Sequence, residues 1–421
     1  MDKQRKWTTI REYFGLKYLE AAISYFLVFF IFLPLLKRKK TNKGDQIETR
    51  KEGKTKILLY GAYGNQSVGD DAILQSILEN LDEQKFDITI SSYRPYLTQQ
   101  VTSHKVIWQG RTLDGLFYMY RTLKTTDILV FGGGGVLETH NNSMTTTVGM
   151  MYKLSKVFLA KLMNVKVYCF AIGSNTKPYS KPVYRLVATL LDIIDGISTR
   201  DRKSYAFLKA INPELKISSL ADPAMLLGME LQNNSSPKKV QIGINVMPYY
   251  KLLQGDKSKL KAIRTEIAKS LDLLIEKWDC KITFIPMVLG DDTSEQEAIY
   301  ELIDRKASVV IMPPDYTPDE LMRILSGFTV FIGTRLHPNI LAYNVNTPIV
   351  GIAYHDKIFS LFDHIQRPDD VQSIQSVSSA KLVASVDAII ADFEKVKSDM
   401  LSRQAELIDL AKRSFTELET M

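Results

Sequence analysis

The sequence predicts an α/β protein with two doubly wound domains that face each other across a cleft. Short apolar runs bounded by turn residues alternate with helical stretches along most of the chain. This alternation is typical of parallel sheets covered by helices on both faces. The polar stretch 231–239 divides the runs into two series. A length of 421 residues accommodates two domains of ordinary size with appendages.

The first series defines a predicted N-terminal domain, residues 55–230, and the second a C-terminal domain, residues 240–380. Strand-like runs of the first series are 56–60, 86–91, 127–135, 165–173 and 193–199. Those of the second are 240–248, 281–288, 308–313, 328–334 and 347–354. Residues 381–421 keep an apolar period typical of helices, which predicts C-terminal helices.

The formal charge of +7 has a definite location at the N-terminus. Residues 1–54 contain 13 Lys/Arg and 6 Asp/Glu, so 13 − 6 = +7, and the other 367 residues carry 41 of each sign. If the other 367 residues bound nucleic acid, they would need an excess of basic residues of their own. We therefore expect no nucleic-acid partner.

An uncharged run at 21–36 lies within this basic segment. As a helix it would reach about 24 Å, less than the roughly 30 Å of a bilayer's hydrocarbon core, and Pro34 would kink its end. We predict that residues 1–40 anchor the protein to the cytoplasmic face of the membrane, followed by a linker at 41–54. A buried helix is the alternative, and whether the run crosses the membrane stays open.

Two glycine-rich turns follow strands of the first series. The first contains Gly64, Asn65 and Asp70, and the second is the run 132–135 followed by Glu138. Bare backbone N–H groups at the end of a strand can bind anions. Because each glycine costs backbone entropy, close approach of a ligand to Gly133 and Gly134 is the predicted reason for the run.

Cationic side chains follow other strands. Arg200 follows 193–199, Arg335 and His337 follow 328–334, and Lys357 follows 347–354. Separated by one residue at a strand end, Arg335 and His337 are both expected to face the cleft. No metal-ligand spacing, nucleophile triad or carboxylate pair is evident. The pattern favours group transfer from a small anionic substrate, without a metal.

Together these motifs resemble the polysaccharide pyruvyl transferases over roughly residues 55–365. The motifs that carry the resemblance are GAYGNQSVGDDAIL, FGGGGVLE, STRDRKS, ADP at 221–223 and GTRLHPNILA…TPIVGIAYHDK. The resemblance implies two Rossmann-like domains in the arrangement called GT-B. It also implies transfer of the pyruvyl group of phosphoenolpyruvate to sugar hydroxyls as a cyclic ketal, with no other cofactor. The basic arm suggests a lipid-linked saccharide acceptor.

Residue roles follow from the resemblance and the chemistry of the substrate. His337 is the expected general acid or base, and Arg335 and Arg200 are expected to hold the anionic groups of phosphoenolpyruvate. Leu336 and Lys357 complete the expected site for that substrate. The expected acceptor-binding residues are Gly64, Asn65, Asp70, Gly133, Gly134 and Glu138.

Two other functions fit the same pattern. A glycosyltransferase of this architecture that uses a nucleotide sugar is one, since a fold does not determine a function. A membrane-tethered assembly subunit without catalytic activity is the other.

Overall fold

Two parallel sheets, one in each half of the chain, form the framework of the protein. The computed structural model describes residues 23, 27–32, 34–36, 53–110, 113–139, 143–231, 239–249, 255–288 and 290–421. The predicted break at 231–239 and the predicted linker at 41–54 lie mostly outside these residues. The predicted class, two parallel-sheet α/β domains, is confirmed.

The first sheet has seven strands in the order β3-β2-β1-β4-β5-β6-β7. They are β1 Thr55–Tyr60, β2 Phe86–Ser92, β3 Lys105–Trp108, β4 Ile128–Leu137, β5 Lys166–Ser174, β6 Gly196–Thr199 and β7 Ser218–Ser219. Helices α1 Val68–Asn80, α2 Pro95–Thr98, α3 Leu113–Leu123, α4 Met144–Leu162, α5 Lys181–Ile193 and α6 Arg202–Ile211 connect them.

The second sheet has six strands in the order β10-β9-β8-β11-β12-β13. They are β8 Gln241–Asn245, β9 Lys281–Phe284, β10 Val309–Ile311, β11 Val330–Gly333, β12 Ile349–Ala353 and β13 Val371–Ser373. The helices of this half are α7 Lys257–Trp278, α8 Asp291–Tyr300, α9 Pro318–Leu325, α10 Leu336–Asn344, α11 Asp356–His364, α12 Ser379–Ala391 and α13 Phe393–Glu419.

The strands are apolar because both faces of each sheet are covered. In β1, Ile57 and Leu59 face one core cluster, while Leu58 and Tyr60 face the other. Successive residues of a strand point to opposite faces, so a doubly covered strand reads as a continuous apolar run. Strand order reverses at β1/β4 in the first sheet and at β8/β11 in the second. Ligands of such sheets bind at the carboxyl ends of the strands near these reversals.

The two halves share one continuous core. A short 3₁₀ segment, Pro223–Leu226, lies between them. Ser76 Oγ of α1 donates to the Pro223 carbonyl at 2.5 Å, and Asn344 Nδ2 of α10 donates to the Ala224 carbonyl at 2.7 Å. The segment is therefore held from both domains.

The last helix, α13, runs from the second half back to the first. Near its start, Tyr343 Oη donates to the Met400 carbonyl at 3.1 Å. Near its end, the Phe415 ring packs edge-on against Phe170 of β5, with ring centroids 4.9 Å apart, and Tyr168 Oη donates to Glu417 at 2.9 Å. The predicted C-terminal helices thus also join the two domains.

The N-terminal segment differs from its prediction as a separate anchor. Leu27–Phe32 forms a short π-helical turn beside α4. Val28 and Leu36 are buried in the same core cluster as α3, α4 and α5. Among the described residues, no helix combines the length and the apolar character needed to cross a bilayer. The rest of the predicted arm, 1–40, lies outside these residues.

The contact of Phe415 with Phe170 predicts a large effect of truncating this ring. Phe415→Ala should lower the free energy of unfolding by about 3 kcal/mol, because it leaves a cavity between α13 and the first sheet. Equilibrium unfolding in urea measures the change. Phe117→Ala removes an exposed ring of the same size and should change stability by less than about 0.5 kcal/mol. Equal losses for the two variants would contradict this assignment of α13.

Candidate active site

Five charged or titratable side chains from the two domains meet at the carboxyl edge of the first sheet. We call them the interdomain cluster: Glu138, Arg200, Asp222, His337 and Lys357. The first two follow β4 and β6, Asp222 precedes the 3₁₀ segment, and the last two lie at the starts of α10 and α11. The first domain thus contributes residues that follow strands, and the second domain contributes residues at the starts of helices.

Glu138 connects the two domains electrostatically. Arg200 Nη2 donates to Glu138 Oε1 at 2.7 Å, and Lys357 Nζ donates to Glu138 Oε2 at 3.0 Å. Side-chain exposure is 3% for Arg200, 6% for Glu138 and 17% for Lys357. One carboxylate therefore neutralises two cations that the sequence predicted to hold an anionic substrate.

Asp222 is the second acid of the cluster. Its Oδ2 accepts from Arg200 Nη1 at 3.0 Å and lies 3.9 Å from His337 Nε2, while its Oδ1 accepts from the Ala224 N–H at 3.1 Å. Within the described part of the chain, His337 Nε2 and Arg200 Nε are buried without a hydrogen-bond partner. Buried donors of this kind normally have partners, so both are suited to a bound ligand.

Proton affinities in the cluster follow from burial and these contacts. Burial alone would raise the pKa of Glu138, but Lys357 and Arg200 outweigh it and hold that pKa well below its usual range. Burial would lower the pKa of Arg200 and of Lys357, but Glu138 holds both above their usual range. All three groups are charged at neutral pH.

His337 lies in the first turn of α10, not on the strand. Its ring packs against Gly69 of α1, and a Cβ added at Gly69 would overlap the imidazole. Burial lowers the pKa of His337 to about 4; Asp222 opposes the shift, and Arg200 and Lys357 add to it. The imidazole is therefore neutral at pH 7 in this structure, in which the two domains are in contact.

Arg335 does not join the interdomain cluster, contrary to the expectation that it and His337 share one face. Its Nε donates to Asp292 Oδ2 at 2.9 Å and its Nη2 to Asp292 Oδ1 at 2.5 Å. Asp292 is fully buried in the second domain. The strand ends at Gly333, so Arg335 caps α10 and the alternation of a strand no longer applies. Leu336, between the two residues, is buried beside the cluster.

Asp70 lies next to the cluster, in the first turn of α1. Burial raises the pKa of Asp70 to about 6, although Ser67, Lys357 and Arg200 lower it in part. Burial and the charge of Asp70 also raise the pKa of Asp71 to about 6. A carboxyl group that titrates near neutrality can exchange protons with a reacting group.

The glycine run packs closely against protein atoms, and the predicted contact of Gly133 and Gly134 with a ligand stays a prediction. Gly133 has φ = 71°, and an added Cβ would lie 2.5 Å from Ile73 of α1. Gly134 is buried against the same isoleucine. Space is needed at Gly135, where an added Cβ would lie 2.5 Å from the carboxyl carbon of Glu138. The glycines thus let α1 and Glu138 approach the sheet.

The first glycine-rich turn reaches the second domain. Gly64, with φ = 69°, is buried beneath Ser92 and the backbone of Arg94, and Asn65 is exposed. Ser67 forms an isolated antiparallel bridge with Val288. The turn is therefore part of the domain contact, and the predicted acceptor-binding roles of Gly64 and Asn65 stay predictions.

A small cavity lies beside the cluster, with a volume of about 20 Å³. It is lined on one side by Arg200 and Asp222 and on the other by Leu336, Lys357 and His364. This volume holds one water, whereas small-molecule sites are at least about ten times larger. The cavity as it stands is therefore too small for a substrate.

Sequence reasoning missed Asp222 and Asp292 as site residues. Asp222 lies in the sequence Ala221-Asp222-Pro223. Its position just before a turn was the signal that could have identified it as a site residue. Asp292 lies at the start of α8 with no such pattern. Among the described residues, no group of three His, Cys, Asp or Glu side chains is placed to hold a metal ion.

The fold is shared with several solved structures. A putative UDP-N-acetylglucosamine 2-epimerase from Listeria monocytogenes superimposes with a TM-score of 0.60 and 10% identity, covering 87% of this chain and 95% of that one. Anabaena Alr3699/HepE, solved with UDP-glucose, superimposes with a TM-score of 0.59 and 12% identity, covering 87% and 100%. At these identities the likeness shows the two-domain fold alone.

The sequence defines the family. The polysaccharide pyruvyl transferase model matches residues 68–356, which is more than half of the chain and contains four of the five residues of the interdomain cluster; Lys357 lies one residue beyond the match. The amylovoran biosynthesis protein AmsJ of Erwinia amylovora is 24% identical over 400 residues, covering 82% of this chain and 94% of AmsJ. The chain therefore belongs to the polysaccharide pyruvyl transferase family and is a transferase.

The raised pKa of Asp70 predicts how stability depends on pH. The folded state binds the Asp70 proton more tightly than the unfolded state does. Above pH 6 the ionised carboxylate therefore lowers the free energy of unfolding. This loss of stability becomes smaller as the pH falls towards 4. Asp70→Asn should therefore raise the free energy of unfolding by about 2–3 kcal/mol at pH 8 and by much less near pH 4.5.

Urea unfolding at the two pH values measures this difference. Asp87→Asn, at an exposed position of β2, is the control and should change little at either pH. A stability gain for Asp70→Asn that does not depend on pH would contradict the assigned titration.

Proposed function

We propose that the protein transfers the pyruvyl group of phosphoenolpyruvate to two hydroxyls of a saccharide, and that the interdomain cluster is the site of this reaction. The observation that carries the proposal is the meeting of two buried cations with a neutral, unpaired imidazole between the domains. Membership of the family supports a pyruvyl substrate. Phosphoenolpyruvate carries a phosphate and a carboxylate, which guanidinium and ammonium groups bind well.

The chemistry needs one proton donor and two proton acceptors. In the proposed sequence, protonation of the methylene carbon produces an oxocarbenium-like C2, which a first sugar hydroxyl attacks with loss of its proton. The C2–O bond to phosphate then breaks, and a second hydroxyl attacks C2 and loses its proton. The products are the cyclic ketal and hydrogen phosphate, so one hydroxyl proton replaces the proton consumed and the other leaves with phosphate.

His337 and Asp70 are suited to these proton transfers. Binding of a trianionic substrate next to His337 would raise its pKa from about 4, because nearby negative charge favours the imidazolium. His337 would thereby become the general acid for the methylene carbon. Asp70, with a pKa of about 6, is the nearby candidate base for a sugar hydroxyl.

Glu138 must move before phosphoenolpyruvate can use Arg200 and Lys357. In the structure this carboxylate accepts hydrogen bonds from both cations, and we propose that a substrate anion binds in its place. Separation of the domains would break the contact with Lys357 of the second domain and open the small cavity beside it. Arg335, paired with Asp292, is assigned a supporting role in holding the start of α10.

The acceptor we propose is a lipid-linked precursor of a surface polysaccharide, with the enzyme at the cytoplasmic face of the membrane. The basic, apolar composition of residues 1–40 and the similarity to an amylovoran biosynthesis protein support this acceptor. The composition matches that of segments which lie in an anionic lipid interface.

Activity of a histidine variant tests the assignment. Purified protein with phosphoenolpyruvate and a lipid-linked saccharide should release phosphate and add a pyruvyl ketal to the sugar, detected by mass spectrometry. His337→Ala should reduce kcat by about 100-fold or more, since general acid–base groups contribute this much. His104→Ala, which changes a histidine paired with Glu83 on the first domain, should leave kcat unchanged. Turnover of a nucleotide sugar instead of phosphoenolpyruvate would refute the proposal.

Anion binding tests the role of Glu138. Glu138→Gln leaves Arg200 and Lys357 without their shared carboxylate, a costly state for buried charges. We expect this variant to bind inorganic phosphate at least several-fold more tightly than the natural protein, and Lys357→Met to bind it more weakly. Isothermal titration calorimetry measures both. Weaker phosphate binding by Glu138→Gln would show that the carboxylate only supports the structure.

A further inference from the structure

Helix α3 presents an unusual surface to solvent on the first domain. Its Gly115, Met119 and Leu123 are buried against the domain. Its outer face carries three large aromatic rings, Phe117, Tyr118 and Tyr120, which are 58%, 46% and 41% exposed. Together with two cations, Arg121 and Lys124, we call this the aromatic face of α3. Solvated helix faces are normally polar, so this composition needs a partner.

The aromatic face is ordered by its own contacts. The Tyr118 ring meets Trp108 of β3 edge-on at 5.6 Å and Phe117 at 6.3 Å. The Arg121 guanidinium lies 5.8 Å from the centroid of Phe117, and Lys124 Nζ lies 4.7 Å from that of Tyr120. Aromatic rings interleaved with cations are the combination that proteins place at the boundary between lipid headgroups and acyl chains.

Charge also favours an anionic partner. Residues 105–124 contain four cations, Lys105, Arg111, Arg121 and Lys124, and a single acid, Asp114. A negatively charged surface would therefore attract this face.

The described N-terminal residues lie near the same helix. Leu27–Phe32 and α3 both pack against α4, and Val28 and Leu36 share a core cluster with Met119 and Leu123. Leu27–Phe32 and α3 thus lie on the same side of the first sheet.

We propose that the aromatic face of α3 is a membrane-docking surface, which binds the headgroup region of a bilayer that contains anionic lipid. Phe117, Tyr118 and Tyr120 insert at the interface, and Arg121 and Lys124 contact lipid phosphates. This surface is distinct from the interdomain cluster and does not depend on the transfer chemistry.

A fluorescent label separates docking by α3 from binding by any other segment. Cys169 and Cys280 are buried, so a thiol dye will react selectively with an introduced cysteine. In the full-length chain, an environment-sensitive dye at Phe117→Cys should shift to the blue on addition of phosphatidylcholine vesicles that contain phosphatidylglycerol. The same dye at Leu273→Cys, exposed on α7 of the second domain, should not shift.

Charge variants test the cationic part. Replacing both Arg121 and Lys124 with Gln should weaken binding to these vesicles by about fivefold for each charge removed. Replacing Lys261 and Lys269, exposed on α7, with Gln is the matched control and should have little effect.

Three results would overturn the proposal. The protein could bind the vesicles while the dye at position 117 stays unchanged, which would place the contact elsewhere. The dye could shift without vesicles as protein concentration rises, which would assign the face to a second copy of the chain. An equal response to pure phosphatidylcholine would refute the role of anionic lipid.

Discussion

The carboxylate of Glu138 is the group on which the arrangement of the site depends. It is shared by a guanidinium of one domain and an ammonium of the other, at 2.7 Å and 3.0 Å. Burying these cations would be unfavourable without counterions; Glu138 is shared by both, and Asp222 is a second counterion of Arg200. Under the proposed function, an incoming anion and Glu138 compete for the same cations, so binding of substrate would be linked to opening of the domains.

The framework was predictable wherever a strand is covered on both faces. The central strands β1, β4, β5, β8, β11 and β12 appear in the sequence as apolar runs, and the structure confirms them at nearly the same positions. The edge strands β3, β7 and β13 were missed. β7 consists of Ser218 and Ser219, and neither residue contributes to an apolar pattern. Short edge strands are defined by pairing with a neighbour, which a local pattern does not contain.

The site was predictable in its residue types but not in its pairings. Strand ends correctly pointed to Glu138, Arg200, His337 and Lys357 as residues of one region. The sequence could not show that Glu138 bonds to both cations, or that Asp292 holds Arg335, because both pairings join elements distant in the chain. The sequence also could not distinguish close approach of a helix to the glycine run from close approach of a ligand, since both need the same small residue. Only two residues separate the end of β11 from the start of α10. Arg335 and His337 therefore do not follow the alternation of a strand, and their side chains point to different places.

The path of the C-terminal helix restricts how the molecule can work. The chain passes between the domains through the 3₁₀ segment Pro223–Leu226 and again within α13, which at 27 residues is about 40 Å long. Two connections leave far fewer ways for the halves to separate than one flexible linker would. Any relative motion of the halves must keep both connections intact, which favours rotation about the line that joins them. Lys357 lines the same small cavity as Met225 of the 3₁₀ segment, so the ion pair that joins the domains lies close to one of these two crossings.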